Sequence, residues 1–433
     1  MAGFLTLFES PTPIFLPILG FLELYSKTLL KLICMKNSTL FACLFYSLVD
    51  YLAFLVVTAL FTPLVLMPES PFQDPFGWIS TPQLLLGCIL GSYGLGLFVG
   101  SPIFGRLSDS IGRKNVLQLS MVVFILGNLG VGYAAGSSSA WTLILFRFVT
   151  GLGSSGAQLL FNVVHDLEED EKKKGRAMGF LVAVSAFSTI VGPAFGAYFS
   201  GDSGLELGTP FFILAIFGLL AIAFIQFSYP VQEKIKAESR SSFLRLFKNP
   251  SILTLCLAFF FMILNIESLF VAIPILMVSA FSVDSSWIAL FFAFGGVVAT
   301  LTGIFIIPLI SRYFKPRSVF VTSLFVLLVS NLFFLFTSTP QEVYIPFAFF
   351  AVSGIIAWAK GNELAILLGQ KKDTGSVMGV FGSLIALALV GSSLLIGYAA
   401  TIDPLLPLIV LDIMAFISFS SAFLGYSLLQ KRV

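Results

Sequence analysis

Lysine and arginine fall on every second connection of this chain and on none of the others. The connections are set by long apolar runs, near 38–66, 79–104, 115–135, 140–165, 176–200 and 209–229, then near 251–281, 286–311, 318–338, 342–369, 375–400 and 404–429. Each is long enough to cross a hydrocarbon core about 30 Å thick. Of the 24 basic residues, 22 lie before the first run, on the even-numbered connections or at the C-terminal end; the odd-numbered connections carry only acids, among them Glu69, Asp74, Asp202, Asp284 and Asp403. Basic loops stay on the cytoplasmic side, so both termini and the midpoint linker are expected there. A wrong span count would scramble the alternation, and the expectation is an all-α polytopic membrane protein of twelve transmembrane helices.

Composition agrees. Of the residues, 58% are hydrophobic and 11% charged, against about a quarter charged in soluble domains. A soluble fold could not hide that apolar surface, whereas a bilayer-spanning one has no need to. The net charge of +2 is spread over loops, and no nucleic-acid partner is expected. The four cysteines (Cys34, Cys43, Cys88, Cys256) lie in or beside apolar runs without a CxxC pair, so neither a disulfide nor a metal site is expected. The chain has no GxxxxGK[ST] loop for nucleotide and no HExxH. Its one histidine, His165, sits at a membrane edge. These absences argue against an enzyme and against a cofactor.

Four segments follow: 1–37, cytoplasmic or interfacial; 38–229, six spans; 230–250, a polar and basic linker; and 251–433, six more. The first segment is apolar for only about ten residues, too few to span. An interfacial helix and an over-extended start, with "MKNSTLFACLF" from Met35 as the natural beginning, are the two readings.

The halves echo each other. "GRLSDSIGRKNVL" after the second span aligns without gaps with "PLISRYFKPRSVF" after the eighth. The fifth and eleventh spans share Met-Gly and, at equal distance, Tyr198 and Tyr398; the first and seventh place Asp50 over Glu267. The pattern indicates a duplicated six-helix unit, two pseudo-symmetric bundles of the kind found in many secondary transporters.

At these residues the chain resembles the major facilitator superfamily, and most its drug:proton antiporters of the tetracycline-efflux type. The signature G-x-L-a-D-r-x-G-r-k reads here as Gly105, Leu107, Asp109, Gly112, Arg113 and Lys114, with Ser110 in place of the usual Arg. "RFVTGLGSSG" resembles the helix-4 motif through Arg147, Gly151 and Gly153, with Thr150 where the family has Gln. "GPAFGAY" resembles the antiporter packing motif of helix 5 through Gly192, Pro193 and Gly196. The resemblance implies a cytoplasmic gate in which Asp109 pairs with basic groups and caps a neighbouring helix. Asp166 and Arg176 stand at the same depth, and the glycines are expected to turn the chain tightly. A solvated turn obeying the positive-inside rule is the plainer reading.

Ionisable side chains inside the bilayer cost about 2.5–3.5 kcal/mol each on insertion scales and mark function by default. Asp50 and Arg147 lie in spans one and four; Glu267, with Lys360 and Glu363, lies in spans seven and ten. Each half thus has an acid on its first helix and a base on its fourth, and in the superfamily these four helices line the central cavity. Moving base toward acid would switch the acid's hold on a proton, a minimal device for proton coupling. The plainer readings are a fixed Asp50–Arg147 pair, and self-neutralisation of Lys360 by Glu363, which share a helix face. The expected function is a proton-coupled secondary active transporter of the bacterial inner membrane. It would be a monomer in the lipid bilayer, exporting a small drug-like or metabolite substrate; the alternative is a symporter importing a nutrient or siderophore.

Overall fold

The computed structural model describes residues 38–160 apart from 68, 73, 75, 76 and 80, then 163, 171–200, 206–229, 250–368 and 374–425. Every regular element among them is helical. The first six are α1 (Ser38–Leu66), α2 (Pro82–Ile111), α3 (Arg113–Gly136), α4 (Ala140–Ser154), α5 (Glu171–Ser200) and α6 (Thr209–Ser228). After the midpoint come α7 (Pro250–Phe281), α8 (Ser285–Tyr313), α9 (Pro316–Phe334), α10 (Tyr344–Leu368), α11 (Thr374–Ile402) and α12 (Leu406–Leu424). Ten of these are long and apolar enough to cross a membrane. The other two are α4, only 15 residues of α-helix, and α5, which opens on the charged run Glu171 to Arg176. The N-terminal segment and the linker through residue 249 lie outside the described residues.

Helix is what a bilayer demands, because every backbone N–H and C=O must be bonded within its own segment. Starts are marked by side chains: Thr81 Oγ1 accepts from Leu84 N–H at the head of α2, and Asp284 Oδ1 from Trp287 N–H at the head of α8. Two helices change pitch. α4 tightens into a 3-10 turn at Ser155–Gln158, where Gly151, Gly153 and Gly156 with Ser154 and Ser155 weaken α-helical preference. α8 widens into a π turn at Thr302–Ile306.

One expectation is corrected here. "GRLSDSIGRK" is not a loop: α2 runs through it to Ile111, α3 starts at Arg113, and Gly112 alone makes the reversal with φ of +88°. Apolar patterning ends at Phe104 because the helix leaves the hydrocarbon there, not because it stops. Gly105 is helical, and a Cβ on it would meet nothing within 4 Å. Only Gly112 needs glycine's freedom at positive φ.

The packing is mirrored. In the first six helices α1 packs on α5 and α6, α2 on α4, and α3 on α4 and α6; in the second six α7 packs on α11 and α12, α8 on α10, and α9 on α10 and α12. The contacts between the sets are mirrored too: α2 on α11, α5 on α8, and α1 on α7. The α2–α11 seam is tightest where both helices approach the loops that carry no base. A Cβ on Gly87 would lie 2.6 Å from the Ser393 carbonyl oxygen, and one on Gly397 2.9 Å from that of Gln83. Gly94 meets Leu389 and Val390 in the same way, whereas Gly91 has ordinary clearance of 3.4 Å to Ser393 Cβ. Small residues let backbones close in where lipid supplies no hydrophobic drive. Polar groups add to this within the second six: Asn265 Nδ2 donates to the Leu411 carbonyl at 2.7 Å, and Ser418 Oγ donates to the Ala258 carbonyl at 2.8 Å.

Candidate functional site

Asp50 of α1, Tyr93 of α2, and Arg147 and Ser154 of α4 gather where these three helices meet. α4 carries Arg147 inward because Gly151, one turn further on, abuts the Tyr93 backbone with no room for a side chain. That approach brings the Tyr93 ring under the guanidinium, whose Cζ lies 4.7 Å from the ring centroid. This is within cation–π range. Arg147 is 1% exposed, and its Nη1 donates to the Ala53 carbonyl at 3.3 Å. Its Nε and Nη2 have no partner, nor has the buried Oδ1 of Asp50 or the hydroxyl of Ser154.

A fixed Asp50–Arg147 ion pair is therefore not what the structure contains. Asp50 precedes Ala53 by three residues, so acid and base face the same stretch of α1, but the guanidinium rests on a carbonyl and an aromatic face instead. Among the described residues the one ion pair is Lys360–Glu363. Leaving a buried charge unpaired costs several kcal/mol. A cluster with unmet donors and an unmet acceptor is thus poised to take a proton, water or a polar substrate group.

The second six helices arrange the same residue types differently. Glu267 of α7 is partly buried. Lys360 Nζ donates to Glu363 Oε2 at 2.6 Å and to Ser311 Oγ of α8 at 2.8 Å. The Lys360 side chain is 4% exposed and that of Glu363 43%, so the pair runs from the protein interior to an open edge. Self-neutralisation along one helix, read from the i and i+3 spacing, is what the coordinates hold. Lys360 also ties α10 to α8, which the sequence did not suggest.

At the start of α3, Lys114 Nζ donates to the carbonyls of Gln226 at 2.7 Å and Tyr229 at 3.0 Å, and Gln118 Nε2 donates to Gln226 Oε1 at 2.8 Å. A cation on the last carbonyls of α6 satisfies orphaned acceptors and the helix dipole together. Lys114 of the motif thus caps the C-terminal end of α6. The side chains of Asp109 and Arg176, and all of Asp166, lie outside the described residues. In the packing motif, Gly192 sits against Leu55 and Gly196 against the Val56 carbonyl, so both press α5 onto α1 on either side of Pro193.

Tyr93 and Ser311 were missed by sequence reasoning. Ser311 carries no local signal. Tyr93 carried one: it is the single large polar side chain in the small-residue stretch from Gly91 to Gly96 of α2.

Comparison with known proteins agrees with this architecture. Residues 49–393 match the Major Facilitator Superfamily. Multidrug resistance protein 3 of Bacillus subtilis is 31% identical over 153 residues, 35% of this chain and 27% of that protein. The class B tetracycline resistance protein of Escherichia coli is 27% identical over 177 residues, 39% of this chain and 42% of that protein. The chain thus spans less than half the length of either relative. The crystal structure of the human organic anion transporter MFSD10 (TETRAN) shares the fold with a TM-score of 0.69 at 17% identity, over 91% of this chain and 99% of that one. The chain belongs to the Major Facilitator Superfamily and is a multi-pass integral membrane protein.

Proposed function

We propose that this protein is a proton-coupled secondary active transporter that exports a small drug-like or metabolite molecule. It works by alternating access between two six-helix halves, twelve spans in all, in a bacterial cytoplasmic membrane. The observation that carries the reading is the buried Asp50 Oδ1 without a hydrogen-bond partner at the α1–α2–α4 junction, where the Arg147 guanidinium has two unmet donors. A permanent structural pair would have closed these groups on each other. Open valences at a point where three helices can shift suit a group that gains and loses a proton once per cycle.

In this account protonation of Asp50 removes its charge, while Arg147 keeps its own because a guanidinium does not readily give up its proton. Substrate or water then meets the free Nε and Nη2. Rocking of one half against the other about the mirrored α2–α11 and α5–α8 contacts exposes the cluster to each side in turn. Lys360 and Ser311 hold α8 to α10 during the swing, and Asp109, with Arg176 and Asp166, closes the cytoplasmic side. Resemblance to multidrug and tetracycline resistance proteins supports export. The test is Asp50→Asn in proteoliposomes: uphill, pH-driven transport is lost while downhill exchange and substrate binding persist. Uphill transport at the wild-type rate would move the proton to Glu267 or Glu363 and overturn this assignment.

A further inference from the structure

On the membrane-facing side of the second six helices, α9 and α10 diverge to leave a groove of about 470 Å³. Its floor is apolar, with Phe325, Val329 and Phe333 of α9 facing Phe349 of α10, and Glu342 stands at one end. Phe325, Val329 and Phe333 fall on a single stripe of α9, roughly 12 Å long at about 1.5 Å per residue, and Phe336 extends the groove in the turn beyond the helix. Half of a hydrocarbon core about 30 Å thick is about 15 Å. The groove therefore spans most of one leaflet, and Glu342, on the connection between α9 and α10, marks its aqueous end.

That end is charged in one sense only. The six connections on this face carry Glu69, Asp74, Asp202, Glu206, Asp284, Glu342 and Asp403 and no lysine or arginine. No basic side chain of the loops can neutralise Glu342 from within the chain. Its Oε2 accepts from the Ser338 N–H at 2.7 Å, which holds the exposed carboxylate at the groove mouth. A primary ammonium offers three N–H donors and makes a charge-assisted bond with a carboxylate. A quaternary ammonium has no N–H to give, and an anionic headgroup is repelled.

We propose that this groove is a binding site for an amine-headed phospholipid of the leaflet on the base-free face, its acyl chain lying along Phe325, Val329, Phe333 and Phe336 and its ammonium on Glu342. The site stands apart from the Asp50–Arg147 cluster, and its test does not depend on transport. The full-length protein is purified and native mass spectrometry follows retention of phosphatidylethanolamine, phosphatidylcholine and phosphatidylglycerol offered in equal amounts. The wild type should retain the ethanolamine lipid at least about fivefold over the choline lipid, since an N–H···O⁻ bond is worth about 1 kcal/mol or more. Glu342→Gln should level that preference, and Val329→Trp, which fills the groove, should lower retention of ethanolamine and choline lipids alike. Equal retention by the wild type, or an ethanolamine preference intact in Glu342→Gln, overturns the proposal. The glutamine variant changes one exposed polar atom, so the test survives a tryptophan variant that fails to fold.

Discussion

Gly87→Ala should open the protein on its base-free face. The new Cβ would lie 2.6 Å from the Ser393 carbonyl oxygen and 3.3 Å from Gly397 Cα, both backbone atoms that no rotamer change can move aside. Reaching ordinary contact near 3.4 Å requires α2 and α11 to part by about 0.8 Å at this point. Overpacking of this kind costs about 1–3 kcal/mol. The gain in helix propensity from Gly to Ala, about 1 kcal/mol, applies to α2 in any arrangement and cancels between them. The cost falls only on the arrangement in which α2 and α11 are closed. Conformations of such proteins differ by a few kcal/mol, so the population of the parted form should rise by about 5- to 150-fold. Gly91→Ala is the control on the same helix face, since its Cβ finds 3.4 Å of clearance. The assay is a distance distribution between spin labels at Ser137→Cys and Ser338→Cys, one in each half on the base-free face, in protein lacking its native cysteines. The longer distance should grow in Gly87→Ala and stay near the wild-type level in Gly91→Ala. Equal behaviour of the two variants would refute the contact argument.

Lys114→Met should destabilise the protein by about 1–2 kcal/mol through loss of the cation on the last carbonyls of α6, with Lys114→Arg largely restoring thermal stability; a methionine variant that melts with the wild type contradicts the cap. Lys360→Met removes the buried charge and keeps the stem, so folding should stay within about 1 kcal/mol of wild type; a collapse in expression would show that the Ser311 and Glu363 bonds are worth more than burial costs. Asp109→Asn should raise thiol labelling of cysteines placed on the cytoplasmic half of the cavity, and unchanged labelling with unchanged transport would reduce the motif to a topological signal.

The helical membrane class was legible because a bilayer leaves few alternatives, and ten of the described helices are long and apolar enough to cross one. The repeat read from Asp50 over Glu267 and the two aligned motifs has a counterpart in the helix contacts, where α1 on α5 and α6 parallels α7 on α11 and α12. Element ends were less legible. Hydropathy falls away after Phe104 while α2 continues to Ile111, because hydropathy reports the membrane boundary and hydrogen bonding reports the helix. The acids and bases of the candidate site could be picked one by one, but their pairing could not. Arg147 sits on Tyr93 and the Ala53 carbonyl, and that choice depends on the Gly151 approach of α4 to α2, a tertiary distance with no local signature. Lys360 with Glu363 was readable because the partners lie one turn apart on one helix.

The central claim is that proton movement and substrate movement are coupled in opposite directions through Asp50. Everted membrane vesicles with an acidified lumen and a pH-sensitive dye test it directly, with a panel of drugs, amino acids and iron chelates added from outside. The account predicts that an exported compound triggers alkalinisation of the lumen as it accumulates there, and that Asp50→Asn abolishes the signal. Substrate accumulation with no proton movement, or a substrate-driven acidification in the direction of symport, would contradict it.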